Sequence, residues 1–291
     1  MKKAARIGGR ILGWLGLLLV GAFLAAFLTG RISRDYEVLS PDARVSLAGE
    51  EVAVEELAAR FVPHLFLRPE TTSPPLLGVW YEAIPTDEGI DLVYHFNWEN
   101  EVNPNAGINP LYALFRAAYF GYPLRDIEYF QVGVDLETGL VERLRFETSR
   151  NLEYGQVIVE HIVLEAERVQ GNGFAVERRT KGGETVDAGR EELLFEGGHV
   201  LAGVATWNHM CALLDAGNRE AFSVGQRADL EVLGEDDYRA YKFARKSQGE
   251  HGTREGIWSR VLALGIFLGT VLLGLLLMRA LKRRRRRRDF S

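Results

Sequence analysis

Leu77 to Trp98 read LGVWYEAIPTDEGIDLVYHFNW, and the fold turns on how that stretch is divided. Pro85-Thr86-Asp87-Glu88-Gly89 is turn chemistry, because proline presets one backbone angle and glycine supplies a conformation that other residues resist. The runs on either side, Leu77 to Ile84 and Ile90 to Trp98, are then the two arms of a hairpin. Side chains alternate across a strand, so the second arm sorts itself. Leu92, Tyr94, Phe96 and Trp98 fall on one face. Asp91, His95, Asn97, Glu99 and Glu101 fall on the other, where Val93 is the one apolar intruder. The aromatic face belongs to a core, and the polar face is either solvated or lines a cleft. His95, Asn97 and Glu99 are therefore the ligand-binding candidates.

The reading extends outward from this hairpin. Val52 to Phe61 has helical spacing of its apolar residues, with Glu55 and Glu56 early and Arg60 late, and Pro63 stops it. Leu65 to Leu67 is a short strand. Pro110 to Phe120 is a helix with proline in its first turn and Gly121 past its end. Ile127 to Val134 and Leu140 to Phe146 form a second hairpin about Asp135 to Gly139. Gln156 to Val169 and Phe174 to Thr180 form a third about Gln170 to Gly173. Lys181 to Arg190 is polar and glycine-rich, a loop. Leu193 to Phe195, Val200 to Thr206 and Phe222 to Leu233 are further strands. Met210 to Leu214 is one helical turn, and Asp236 to Lys246 a helix. Consecutive hairpins of this kind predict an α+β, β-rich domain, an antiparallel sheet or sandwich with two or three helices.

The two ends differ from the middle. Residues 11–30 are uncharged, and so are the eighteen residues from Val261 to Met278, which span roughly 27 Å as a helix. Lys2, Lys3, Arg6 and Arg10 precede the first run. Arg279, Lys282 and six consecutive arginines, Arg283 to Arg288, follow the second. The arrangement predicts a basic cytoplasmic N-terminus at 1–10, a transmembrane helix at 11–30, an extracytoplasmic β-rich domain at 31–256, a second transmembrane helix at 257–281 and a cytoplasmic arginine-rich tail at 282–291. The expected localisation is a bacterial-type cell membrane, multi-pass, with both termini cytoplasmic. Small residues at four-residue spacing, Ala22, Ala26 and Gly30 in one run and Gly265 and Gly269 in the other, would let the spans pair with each other or across a homo-oligomer.

The whole-chain charge of −5 hides an imbalance. Residues 31–259 hold 22 basic and 39 acidic side chains, a formal −17. A domain so acidic repels phosphate backbones, which excludes nucleic acid as its partner. The lone Cys211 rules out an intrachain disulfide and a cysteine-based zinc site.

No phosphate-binding loop, dinucleotide fingerprint, H-E-x-x-H helix or G-x-S-x-G elbow occurs. What remains is a loose set of histidines and carboxylates. Asp126 and Glu128 alternate onto one face at the start of a strand, a place where a metal ligand pair or a solvated strand end would each fit. His161, among Val157, Val159 and Val163, reads as a core histidine with one partner. His209 ends a strand, as a cap or a group aimed into a cleft, and His199 follows Gly197-Gly198 in a turn.

Asp126-Ile127-Glu128-Tyr129-Phe130, with its alternating strand and the DLETG turn, resembles a motif of vacuolar-protein-sorting-related β-proteins in which D-W-E precedes such a strand. Gly198 to His209, GHVLAGVATWNH, is similar to a later stretch of that family, H-P-V-x-Y-V-A-x-G-S-H. Necrosis-inducing secreted proteins carry a comparable H-D-W-E around a divalent metal. The resemblance implies a β-sandwich, and a divalent-metal site to which Asp126, Glu128 and His209 would contribute. Ile127 stands in place of the motif's tryptophan and Asn208 in place of the serine, and the preceding G-H-x-H is absent.

Two functional expectations follow. The first is a membrane-anchored envelope protein whose acidic outer domain binds a partner or ligand, with no reaction assigned. The second is a metal-dependent hydrolase or carbohydrate-active domain using Asp126, Glu128 and His209. The expected partners are the lipid bilayer and an envelope protein or a second copy.

Overall fold

The computed structural model describes residues 13–14, 16–21, 36–69, 74–110, 112–113, 116, 125–153, 155–180, 182–234, 236–237 and 265–275. The chain opens on a small ribbon, β1 (Arg44–Leu47) with β2 (Glu50–Ala53), and runs straight into helix α1 (Val54–Phe61). Val54, Leu57, Ala58 and Phe61 form the buried stripe of that helix, and Glu55 and Glu56 sit in its first turn with Arg60 in its last, complementing the helix dipole. Strand β3 (His64–Leu67) follows. The hairpin read first in the sequence is β4 (Leu76–Thr86) with β5 (Gly89–Trp98): the first arm is longer at both ends than the sequence pattern shows, and the second starts one residue earlier and ends at Trp98 as expected.

The remaining strands are β6 (Asp126–Asp135), β7 (Leu140–Ser149), β8 (His161–Gln170), β9 (Gly173–Thr180), β10 (Thr185–Glu192), β11 (Phe195–Glu196), β12 (His199–Val204), β13 (Cys211–Leu213), β14 (Val224–Gln226) and β15 (Leu230–Val232). They make an eight-stranded sheet in the order β10-β9-β8-β7-β6-β5-β4-β15, antiparallel except for the parallel pairing of β15 with β4. A five-stranded sheet runs β11-β12-β3-β14, with β13 also paired to β12. There β12 and β3 are parallel.

One apolar core joins the two sheets. Leu92, Tyr94, Phe96 and Trp98 from β5 meet Phe130, Val132 and Val134 from β6, Leu65 and Leu67 from β3, and Ala202 and Val204 from β12. The aromatic face of β5 is thus the inner face. Fully burying side chains of this size contributes roughly 1.5–3 kcal/mol each. The buried Tyr94 hydroxyl donates to the Ala58 carbonyl at 2.8 Å, which ties α1 down over the sheet.

Several expectations are revised. Of the loop expected at Lys181 to Arg190, the residues from Thr185 onward are strand: β10 pairs along β9, held by Arg178 contacts to Asp187 and Glu191, while Lys181 lies outside the described residues. Cys211 to Leu213 is a strand rather than a helical turn. Phe222 to Leu233 divides into β14 and β15, which belong to different sheets. β8 begins only at His161, so Val157 and Val159 do not share its face. The helix expected at Asp236 to Lys246 lies outside the described residues after 237.

The expected multi-pass membrane placement, with both termini cytoplasmic and the central domain outside, is also corrected. Among the described residues no helix is long and apolar enough to cross a membrane. Apart from residues 13–14, 16–21 and 265–275, the stretches 11–30 and 257–281 lie outside the described residues. The segments at 16–21 and 265–275 do lie side by side, through Gly21 against Phe267 and Gly274 against Leu17, whereas Gly265 and Gly269 face open space.

Candidate functional site

The sheet register separates two polar sets that the sequence presents as neighbours. Trp98 pairs with Asp126 and Phe96 with Glu128, so both carboxylates stand on the inner, aromatic face of the large sheet. His95 and Asn97 alternate with those positions and stand on the opposite face. Glu99 lies beyond the end of β5 and is exposed. The two candidate groups therefore do not converge.

The inner set lies at the end of the sheet, where β5 stops and β6 starts. The turn between β12 and β13, Ala205 to Met210, folds over it. Ala205 N–H donates to Met210 carbonyl at 2.9 Å and His209 N–H to Thr206 carbonyl at 3.1 Å. That tight closure puts His209 at φ 60°, a left-handed conformation few side chains adopt. The strain is offset by what the imidazole meets. Its ring stacks on Trp98 at 4.2 Å between centroids and 3° between planes. Its Nδ1 lies 2.6 Å from Asp126 Oδ2, so Nδ1–H donates to the carboxylate. Its Nε2 is buried with no hydrogen-bond partner among the described residues, as is the Trp98 indole nitrogen.

Arg116 closes the other side of Asp126. This guanidinium is 1% exposed, among the most buried large side chains of the chain. Its Nη2 lies 3.6 Å from Asp126 Oδ1 and its Nε 2.9 Å from Glu101 Oε1. Nη1 donates to Asn100 Oδ1 at 2.8 Å and Nη2 to the Arg125 carbonyl at 2.7 Å. Tyr112 donates its hydroxyl to the same Glu101 oxygen and meets Trp207 edge-on at 5.6 Å. Burial, and next the Asp126 carboxylate, push Glu101 upward to about 8, while Arg116 and the Tyr112 hydroxyl pull it back. Burial also pushes the Cys211 thiol well up, so that cysteine is an inert packing group.

Of the three expected metal ligands, the structure joins Asp126 to His209 and aligns Glu128 with Asp126 on one strand face. Among the described residues no group of three or more His, Cys, Asp or Glu is arranged to hold a metal ion. Asp126 instead accepts from an imidazole and pairs with a guanidinium. Arg116, Glu101, Tyr112 and Trp98 escaped the sequence reading as site residues. Tyr112 and Arg116 sit in a segment whose aromatics signal burial alone, and Trp98 reads as core. Glu101, at the end of the polar alternation, was the one available signal.

The outer set is built on Glu82 and His95, both 0% exposed, with His95 Nε2 at 2.9 Å from Glu82 Oε2. Tyr36 donates to the other Glu82 oxygen at 3.0 Å. Asn97 is buried beside them. His161 is a half-buried strand residue, with Nδ1 2.9 Å from Glu147 and Nε2 3.3 Å from Asn208, and is not a core histidine. His199 opens β12 rather than serving the turn after Gly197-Gly198: it donates Nδ1–H to the Val62 carbonyl at 2.9 Å and stacks on His64 at 4.0 Å.

No protein-family model matches the chain, and no curated protein matches it. Among solved structures, the crystal structure of Necrosis and Ethylene inducing Protein 2 from the causal agent of cocoa's Witches Broom disease is 14% identical. The match covers 70% of this chain and 86% of that one, with a TM-score of 0.34. NLPPya in complex with mannosamine is 10% identical, with 80% of this chain and 98% of that one covered and a TM-score of 0.31. The necrosis-inducing group is represented among these neighbours, and neither of the two is a vacuolar-protein-sorting-related protein. At such overlap they carry no function to this chain.

Proposed function

We propose that the protein is a binding domain without a reaction of its own, whose ligand docks where Trp98, Asp126 and His209 meet. One observation carries this reading: an imidazole oriented by a carboxylate through Nδ1, with Nε2 buried and unpartnered among the described residues. An unpartnered buried polar atom costs about 1–3 kcal/mol, which a ligand group would recover on binding. Trp98 presents a donor N–H, and an imidazole whose proton sits on Nδ1 presents an acceptor at Nε2. A hydroxyl both donates and accepts, so a small hydroxylated ligand suits the pair. Binding is favoured over hydrolysis because Asp126 has one oxygen committed to His209 and the other facing Arg116.

The test is calorimetric titration of the intact protein with neutral monosaccharides, glycerol and small carboxylic acids. Saturable binding of a hydroxylated compound that weakens at least tenfold in His209→Phe supports the reading. Turnover of chromogenic esters or glycosides that depends on His209 would overturn it in favour of an enzyme. Stoichiometric divalent metal by elemental analysis would instead favour the metal-dependent reading, with Asp126 orienting His209 as a ligand.

A further inference from the structure

The outer face of the large sheet carries a polar site that the inner centre does not use. On β5, His95 and Asn97 share that face, about 6.7 Å apart along the strand. His95 is fully buried, with Nε2 2.9 Å from Glu82 Oε2, and the Tyr36 hydroxyl donates to the other oxygen of that carboxylate at 3.0 Å. A carboxylate that receives on both oxygens is ionised, so the ring proton sits on Nε2 and Nδ1 keeps its lone pair. A doubly protonated ring would bury a charged N–H with nothing to accept it, the costlier arrangement. His95 Nδ1 and Asn97 Oδ1 are both buried with no hydrogen-bond partner among the described residues. Both are acceptors.

Their surroundings select a donor. Trp80 and Tyr129 stand directly across from His95 on β4 and β6, an aromatic ring on either side. Glu231, exposed on β15, lies opposite Trp80 on the same face. Gly78 is directly opposite Asn97, and a Cβ built there would meet nothing within 4 Å among the described residues, so the sheet is open beside the amide. We propose that this face binds the ammonium group of a small aliphatic amine, with His95 Nδ1 and Asn97 Oδ1 as its acceptors and Glu82 holding the imidazole. An –NH3+ group has three donors and no acceptor, and so matches two bare acceptors better than a hydroxyl or a carboxylate does. Ring faces attract a cation. The formal −17 of residues 31–259 concentrates cations near the domain and depletes anions. The basic side chains further along this face are committed to carboxylates, Arg143 to Glu88 and Asp91 and Arg145 to Glu165. The open space over Gly78 receives an unbranched alkyl chain behind the ammonium. The site is independent of the binding reading above, because the large sheet separates it from Asp126 and His209.

The experiment is calorimetric titration of the full chain at about pH 7 with n-butylamine, which is protonated there, beside 1-butanol, which has no charge, and tetramethylammonium, which has no N–H donor. The expected result is saturable binding of n-butylamine at least tenfold tighter than of either control. Gly78→Leu fills the open space without touching a polar group and weakens that binding at least tenfold, whereas His209→Phe leaves it unchanged. Should Gly78→Leu not fold, Asn97→Asp replaces an amide oxygen by a carboxylate and tightens the binding severalfold. The 15N signals of the His95 ring show a protonated Nε2 and a bare Nδ1 that shifts as the amine is added. Absence of saturable n-butylamine binding, equal binding of 1-butanol or tetramethylammonium, loss of binding in His209→Phe, or a protonated Nδ1 on His95 overturns the proposal. Failure of every hydroxylated compound to bind while n-butylamine still does would remove the inner-site reading alone.

Discussion

Asp126 is the residue on which the inner site depends, since it meets an imidazole on one side and a guanidinium on the other. Asp126→Ala leaves Arg116 buried with one counter-charge fewer and His209 without its orienting acceptor. The expected loss of stability is about 3–5 kcal/mol, measured as a shift of the urea unfolding midpoint. Asp126 was legible in the sequence as a polar residue opening a strand. Its guanidinium partner was not, because Arg116 has no spacing relation to it and reaches it only through the fold. A second residue-scale expectation concerns His64. Burial first, and then the charge of stacked His199, lower its affinity for a proton in the folded state, against an opposing pull from Glu196. The unfolded chain then binds more protons between the lowered folded value and the unfolded value of 6.5, so this contribution to stability is full above 6.5 and is lost as pH falls from there through the folded value. Unfolding midpoints measured across that range should therefore fall less steeply in His199→Gln than in the parent.

The hairpin β4–β5 shows which elements a sequence declares. Period-two alternation of aromatic and polar residues, with turn residues between, marked both arms and the correct inner face. At its tip Gly89 has φ 149°, and any Cβ there would run into the Val134 carbonyl. Gly89→Ala should lower the thermal midpoint by several degrees, consistent with a cost of at least about 1–2 kcal/mol. Gly203 on β12 makes a different point: a Cβ would lie 2.6 Å from the Phe222 ring and 3.0 Å from Leu214. Gly203→Ala should therefore overpack the small sheet and cost about 1–3 kcal/mol by denaturant unfolding. The elements that escaped detection share a cause. β10 is polar and contains a glycine because it is an outer strand with little to bury, so its pairing with β9 leaves no hydrophobic signature. Val157 and Val159 mimic strand alternation in a segment that does not pair.

At the scale of the molecule, a sandwich core explains why the two polar sets cannot act together. The large sheet lies between them, with Asp126 and Glu128 on its inner face and His95 and Asn97 on the other. A strand pattern tells which residues share a face of one strand. It does not tell which face of the next strand joins them, and that register is what assigned Asp126 to the aromatic side. The turn carrying His209 comes from the second sheet, some eighty residues further along the chain, so the pair at 2.6 Å exists only once both sheets have packed. The claim that this pair forms a ligand-receiving centre is tested most directly by the 15N signals of the His209 ring, followed as a hydroxylated ligand such as a monosaccharide or glycerol is added. The account predicts a protonated Nδ1 bonded to Asp126 and an unprotonated Nε2 that shifts saturably with the ligand. A protonated Nε2 facing an unprotonated Nδ1, or an Nε2 signal that no such compound moves, would contradict it.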